Sequence, residues 1–301
     1  MRSSPKPMRR DLLAAIVLTA CIGSPAAIPP LSADDRPAGT GVHTLENATF
    51  YFRAKDGSVL TLLMLELLNP RDGADRAQQG ELHPAYEGAA SVVESGRRGD
   101  ELPGAPVRAV PLEIAPGAAH AGRATFFGRV YLQSGHNYSV RYVVNDEARD
   151  EIFVRNALLT VPYLNGGFSA SSVVPAEQFG PAVSGHGIFQ VGSEEVVPKP
   201  GGIFRRSDLL RLYLQVYDAV LDHETMTRRV DVEFRFYRAV NGSSKRYGKP
   251  FSVRGAAGPS MGLALPIGDW PAGPYRVVVD LHDRIAASRT TTEGTFSIID
   301  E

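Results

Sequence analysis

The sequence predicts an all-β chain: two tandem β-sandwiches behind an export signal and a linker. Three observations carry this. Apolar and polar residues alternate at a period of two in segment after segment, the mark of strands with one buried face. Turn residues such as Lys55-Asp56-Gly57 and Asn241-Gly242 punctuate those segments. Past the linker, no run shows the period of an amphipathic helix. The 301 residues suit two domains plus extras, at ~100–200 residues per domain. The hydrophobic share of 43% and charged share of 22% are ordinary for a chain that buries cores. A formal net charge of −1 gives no global electrostatic reason to bind nucleic acid or an anionic membrane surface.

Residues 1–20 read as a signal peptide. Arg9 and Arg10 supply its positive start, and Leu12 to Ala20 its apolar stretch. That stretch suits a signal core of ~7–15 residues and falls short of the ~20 that span a bilayer. It ends in Leu18-Thr19-Ala20-Cys21, which resembles the lipobox of bacterial lipoproteins. The resemblance implies cleavage before Cys21, diacylglycerol on its thiol, and an exported protein held at a membrane of the cell envelope. Cys21 is also the only cysteine. A free thiol in an oxidising compartment invites wrong pairing, and lipidation accounts for it. The alternative is ordinary secretion with cleavage after Ala26 or Ala33, giving a soluble periplasmic or secreted protein. Translation from Met8 leaves a compact signal as well. Arg9-Arg10-Asp11-Leu12-Leu13 resembles the twin-arginine export motif, but Met8 stands where Ser or Thr is usual.

Residues 21–42 are rich in Pro, Ala, Gly and Ser and read as a flexible linker. The first sandwich is expected over 43–166. Its strands are Thr49–Arg53, Val59–Leu68, Val107–Ile114, Thr125–Leu132, Tyr138–Val144 and Ile152–Val161. Val59–Leu68 is almost wholly apolar, which suits a strand covered on both faces. Asn69 to Pro106 reads as a long excursion with one short strand near Ala90–Glu94. The second sandwich is expected over 167–301. In Leu210 to Tyr217, Leu210, Leu212, Leu214 and Val216 point inward, while Arg211, Tyr213, Gln215 and Tyr217 point outward. Val230–Tyr237 and Tyr275–Leu281 alternate in the same way, and Thr295–Ile299 closes the chain.

The halves echo each other. Phe52-Arg53, a turn and the strand LTLLMLELL parallel Phe204-Arg205, a turn and LLRLYLQVYD. LQSGHNYSVRYVV from Leu132 parallels WPAGPYRVVVDL from Trp270. A turn, Gly, Tyr and an alternating strand suit the tyrosine corner of immunoglobulin-like sandwiches, with Tyr138 and Tyr275 in that place. The predicted fold is therefore two tandem immunoglobulin-like β-sandwich domains.

FSASSVVPAEQF, IFRRSDLLRLYLQVYDA and LPIGDWPAGPYRVVVDLHDR lie between Phe168 and Arg284. Together they resemble the C-terminal β-sandwich regions of secreted bacterial proteins. Those regions follow a von Willebrand factor A-like domain or one with a Gly-Trp-x-Thr-Asp signature. The resemblance implies a fold and an envelope setting, and no catalytic residue. The Asp-x-Ser-x-Ser metal motif and the Gly-Trp-x-Thr-Asp signature are both missing from the sequence.

Motifs for chemistry are sparse. The histidines, His43, His83, His120, His136, His186, His223 and His282, show no zinc spacing. Asp280 and His282 share an outward strand face with Arg276 and read as a solvated sheet face rather than an acid–base pair. Ser184-Gly185-His186-Gly187, Gly166-Gly167 and Gly201-Gly202 read as loop punctuation, not as a nucleophile elbow or phosphate loop. The expectation is a non-enzymatic module without a cofactor or metal, presenting two sandwiches to other envelope proteins. A ligand- or glycan-binding module is the alternative, with Trp270, Tyr213 and Tyr217 as exposed aromatics. A hydrolase whose residues meet only in space is the remaining possibility.

Overall fold

The computed structural model describes residues 44–68, 86–114, 123–146, 151–182, 189–240 and 242–300. The expectations on the signal, Cys21, the linker, His43, His83, His120, His186 and Asn241 lie outside them. Among the described residues there is no α-helix, and none long and apolar enough to cross a membrane.

The first half supplies β1 (Thr44–Arg53), β2 (Val59–Leu68), β3 (Tyr86–Ser95), β4 (Arg108–Ile114), β5 (Arg123–Leu132), β6 (Asn137–Asp146) and β7 (Glu151–Thr160). They pair in the order β1-β2-β5-β4-β3-β6-β7. β4 is the joint: Arg108 to Leu112 pair with β3, while Glu113 and Ile114 pair with β5. The sheet thereby folds over, with β1-β2-β5 facing β4-β3-β6-β7 across a common core. The turn after β1 forms as its residues dictate. Gly57 adopts φ +83°, and Asp56 Oδ1 accepts the Ser58 N–H at 2.9 Å.

One expectation needs correction here. The short strand near Ala90–Glu94 is ten residues long and sits mid-sheet as β3. Its stretch Gly88-Ala89-Ala90-Ser91 is small, which hid it from β-propensity. Smallness is what the packing requires: a Cβ on Gly88 would stand 2.9 Å from Phe126 and from Leu112.

The second half supplies β8 (Ser169–Ala170), β9 (Val174–Pro181), β10 (Gln190–Val191), β11 (Glu194–Pro198), a 3₁₀ turn at Pro200–Gly202, and β12 (Ile203–Arg205). β13 (Leu209–Tyr217), β14 (Val230–Val240), β15 (Ser243–Ala256), β16 (Ser260–Pro266), β17 (Gly273–Asp283) and β18 (Ser288–Ile299) complete it. One sheet runs β10-β11-β9-β13-β16, with β8 also on β13; the other runs β12-β18-β17-β14-β15. β12 joins β18 in parallel.

Three apolar layers hold these sheets together. One lies inside the first half, with Leu63, Phe126 and Tyr142. One lies inside the second, with Leu212, Phe234 and Val279. The third lies between the halves, where Phe52, Leu62 and Phe127 meet Val174, Val196 and Tyr213. β2 is buried on both faces because its odd residues enter the first layer and its even residues the third.

The two tyrosines of the Gly-Tyr segments bond back upstream as a tyrosine corner does. Gln133 N–H donates to Tyr138 Oη at 3.0 Å, and Tyr275 Oη donates to the Pro271 carbonyl at 2.8 Å. The fold is an all-β sandwich architecture throughout the described residues.

Candidate functional site

The aromatic platform expected from Tyr213, Tyr217 and Trp270 does not form. Tyr213 is 1% exposed and Tyr217 8%. The face of β13 that reads as outward turns into the first half instead of solvent. Tyr213 packs near Phe52, with ring centroids 6.4 Å apart, and near Phe179 at 5.8 Å. Gln215 makes this burial tolerable. Its Nε2 donates to Tyr213 Oη at 2.9 Å, and its Oε1 accepts from Tyr217 Oη at 3.0 Å. Two amphipathic rings and a bridging amide thus look polar in sequence yet satisfy one another inside. Trp270 is half-buried and caps the second core, edge-on to Phe236 at 4.9 Å and beside Tyr275 at 5.4 Å.

The same region ties the halves together. Tyr217 Oη accepts the Arg53 N–H at 3.0 Å, and the Arg53 guanidinium lies 4.7 Å from the ring centroid. Arg53 also pairs with Asp218. The hydrogen bond from Arg53 holds the Asp218 carboxyl below the usual carboxylate range. A depressed folded pKa stabilises the fold above the unfolded value and loses that contribution as pH falls through the folded one. The bridge is partly exposed, so its contribution is below about 1 kcal/mol. Asp218→Asn is therefore expected to lower the melting temperature slightly at pH 7 and by less in acid, below the usual carboxylate range. Equal losses at both would remove the charge from the account.

Burial pushes the hydroxyls of Tyr51, Tyr142 and Tyr217 up to about 12, and raises that of Tyr213. All four stay neutral near pH 7, so none is poised as a general acid or base. His136 Nδ1 lies 2.8 Å from Glu94 Oε1, a part-buried pair at one end of β3. Asp280 is engaged by Arg235 and accepts from Thr291 Oγ1 at 2.9 Å. Among the described residues, no three His, Cys, Asp or Glu side chains gather into a metal cluster.

A cleft of about 460 Å³ opens where β1 and β2 meet the 3₁₀ turn and β18. Glu46, Asn47, Glu66, Lys199 and Glu293 give it polar walls. Glu66 is 2% exposed. Gly201, at φ +59°, brings the turn so close that a Cβ there would stand 3.3 Å from Glu66 Oε2. Lys199 is drawn away, with Nζ 2.7 Å from Glu177 and 3.6 Å from Asp208. Ser172 Oγ, on the same wall, accepts the Tyr51 N–H at 3.0 Å.

The more distinctive feature is a surface. β7 ends its sheet, and Ile152, Val154 and Leu158 on it are 69%, 45% and 62% exposed. Register extends this apolar strip inward: Val154 stands opposite Val143, Val143 opposite Ala89, and Ala89 opposite Pro111. Edge strands are usually blunted by charge, proline or shortness. β7 is ten residues long, with charge only at Glu151 and Arg155. The sequence shows a strand over Ile152 to Val161 but not that Ile152, Val154 and Leu158 share its outward face, with Phe153, Ala157 and Leu159 on the core side.

No family model and no curated protein matches the chain. Among solved structures, it is similar to a DUF4785 family protein from Legionella pneumophila, at 13% identity and a TM-score of 0.24. That match covers 84% of this chain and 55% of the other, so the chain spans about half the length of that structure.

Proposed function

We propose that the chain is a non-enzymatic envelope module, lipid-anchored through Cys21, that presents its sandwiches for protein–protein contact. The observation that carries this reading is the long, unblunted β7 edge with its exposed Ile152, Val154 and Leu158. An extended segment of a partner can add to such an edge, with main-chain hydrogen bonds giving affinity and apolar contacts giving selectivity. The anchor rests on Leu18-Thr19-Ala20-Cys21 and on the solitude of that cysteine. Two acyl chains give stable anchoring where one is marginal.

The test is a cross-linked pull-down from membranes with the full chain. Ile152→Glu/Leu158→Glu is expected to lose the captured partner while its melting temperature stays within about 2 °C, as for exposed substitutions. After a wash in about 0.5 M salt, which screens any surface attraction, Cys21→Ala is expected to leave the membrane pellet yet retain the partner when both are solubilised. Undiminished capture by the double variant would sink the β7 assignment. Cys21→Ala remaining in the pellet at wild-type levels would sink the anchor.

A further inference from the structure

Two of the long sheet edges among the described residues, β7 and β15, are opposite in character. β7 is apolar and almost uncharged, whereas β15 carries Lys245, Arg246, Lys249 and Arg254 and no acidic residue. Among the described residues none of those four cations has an ion pair. Other arginines of the same sheet do: Arg235 pairs with Asp280, and Arg276 with Glu293 at 3.2 Å. The excess is local, because the whole chain has a formal net charge of −1.

Edge protection explains part of this. Lysine, Pro250 and the register shifts against β14 are the usual means of stopping edge-to-edge pairing. On that strand Phe251 and Val253 stand opposite Phe234 and Val232 and extend the second core to the edge, where they are still 38% and 37% exposed. Cations interleaved with partly exposed apolar side chains suit an anionic membrane interface, where the charges meet headgroups and the apolar groups enter the boundary region. The row beside it continues the pattern: Arg246 stands opposite Tyr237, and Tyr237 opposite Arg276, whose guanidinium lies 5.1 Å from the tyrosine ring centroid.

We infer that the β15 edge rests on an anionic lipid surface, orienting the body so that β7 faces a partner. The inference takes its setting from the lipid-anchored reading, but its chemistry is separate from the acyl chains. Each of the cations contributes by attraction to the surface potential and is weakened by salt.

Cys21→Ala removes the only thiol, so a cysteine placed at Ser252 on β15 carries a polarity-sensitive dye at one known position. A second chain carries the dye at Asn156 on β7. Vesicles of phosphatidylcholine, with and without about one-third phosphatidylglycerol, are titrated in. The Ser252 dye is expected to shift to the blue with the anionic vesicles only, and to revert in about 0.5 M salt. Lys245→Gln/Arg246→Gln/Lys249→Gln/Arg254→Gln is expected to weaken the response about 1,000-fold, with an unchanged circular dichroism spectrum. No shift, an equal shift at Asn156, or full competition by millimolar inorganic phosphate would each overturn the inference. The last would indicate a phosphate site instead of a surface. Because this chain lacks Cys21, failure here leaves the anchor standing, and failure of the anchor leaves this result unaffected.

Discussion

Phe52→Ala is expected to lower stability by about 3–5 kcal/mol, the usual range for emptying a fully packed aromatic site. Phe52 is 0% exposed and belongs to the layer between the halves. Its neighbours come from both sides: Leu60 and Leu62 from β2, and Tyr213 from β13. Sheets pack as rigid faces, so they cannot collapse into the space without breaking the register of β1 on β2. The substitution acts on coupling as well as on total stability. Trp270, the only tryptophan, lies in the second half and reports on that core alone. Far-UV circular dichroism reports on all strands. In the wild type, urea transitions followed by the two signals are expected to coincide. In Phe52→Ala they are expected to separate, with Trp270 unfolding on its own curve. A loss below about 1 kcal/mol, with coincident curves, would mean that the third layer does not couple the halves.

That layer marks the boundary of what the sequence reveals. β2 is legible because Thr61 and Glu66 are the only polar residues of LTLLMLELL, so burial on both faces follows from composition. β13 deceives because Arg211, Tyr213, Gln215 and Tyr217 alternate with aliphatics as a solvated face does. Only Arg211 behaves that way, reaching along the surface to the Glu177 carbonyl at 3.2 Å. A period of two distinguishes faces; it does not say whether the second face meets water or another sheet. The tyrosine corners were legible for the opposite reason. Their hydroxyl bonds are local, four or five residues long, and the turn that sets them is written in Gly135 and Gly273.

The candidate surfaces divide in the same manner. A net charge of −1 conceals β15 because acidic residues elsewhere in the chain balance its cations. The sequence does place all four within one strand-length segment, and a sliding count of charge past Val240 finds them. The apolar face of β7 needs tertiary knowledge. Val143 and Ala89 join Val154 only once β3 and β6 lie side by side, and β3 itself was concealed by its small residues. Gly201-Gly202 looks like loop punctuation, and its pressure on Glu66 depends on two segments far apart in the chain.

Asp283→Ala is expected to cost a further 3–5 kcal/mol, about as much as breaking a buried ionic contact. Asp283 closes the segment Asp280-Leu281-His282-Asp283 and is 0% exposed. Its Oδ2 accepts the Val220 N–H at 2.7 Å. Its Oδ1 accepts the N–H groups of Ile285 and Ala286 at 2.9 and 3.3 Å. One carboxylate thus closes the β17–β18 turn and pins the connection that follows β13 to the same end of the sandwich. Alanine strands three backbone donors, of which water can reach some. Asp283→Asn keeps one acceptor oxygen and is expected to lose roughly half as much. The local signature is decisive. The Val220 amide should exchange with solvent at least ten times faster in Asp283→Ala, while the amides of β14 slow or quicken only in step with global stability. If Val220 exchanges at the wild-type rate, the pinning contact is not made in solution, and the end loops of this sandwich are freer than the geometry states.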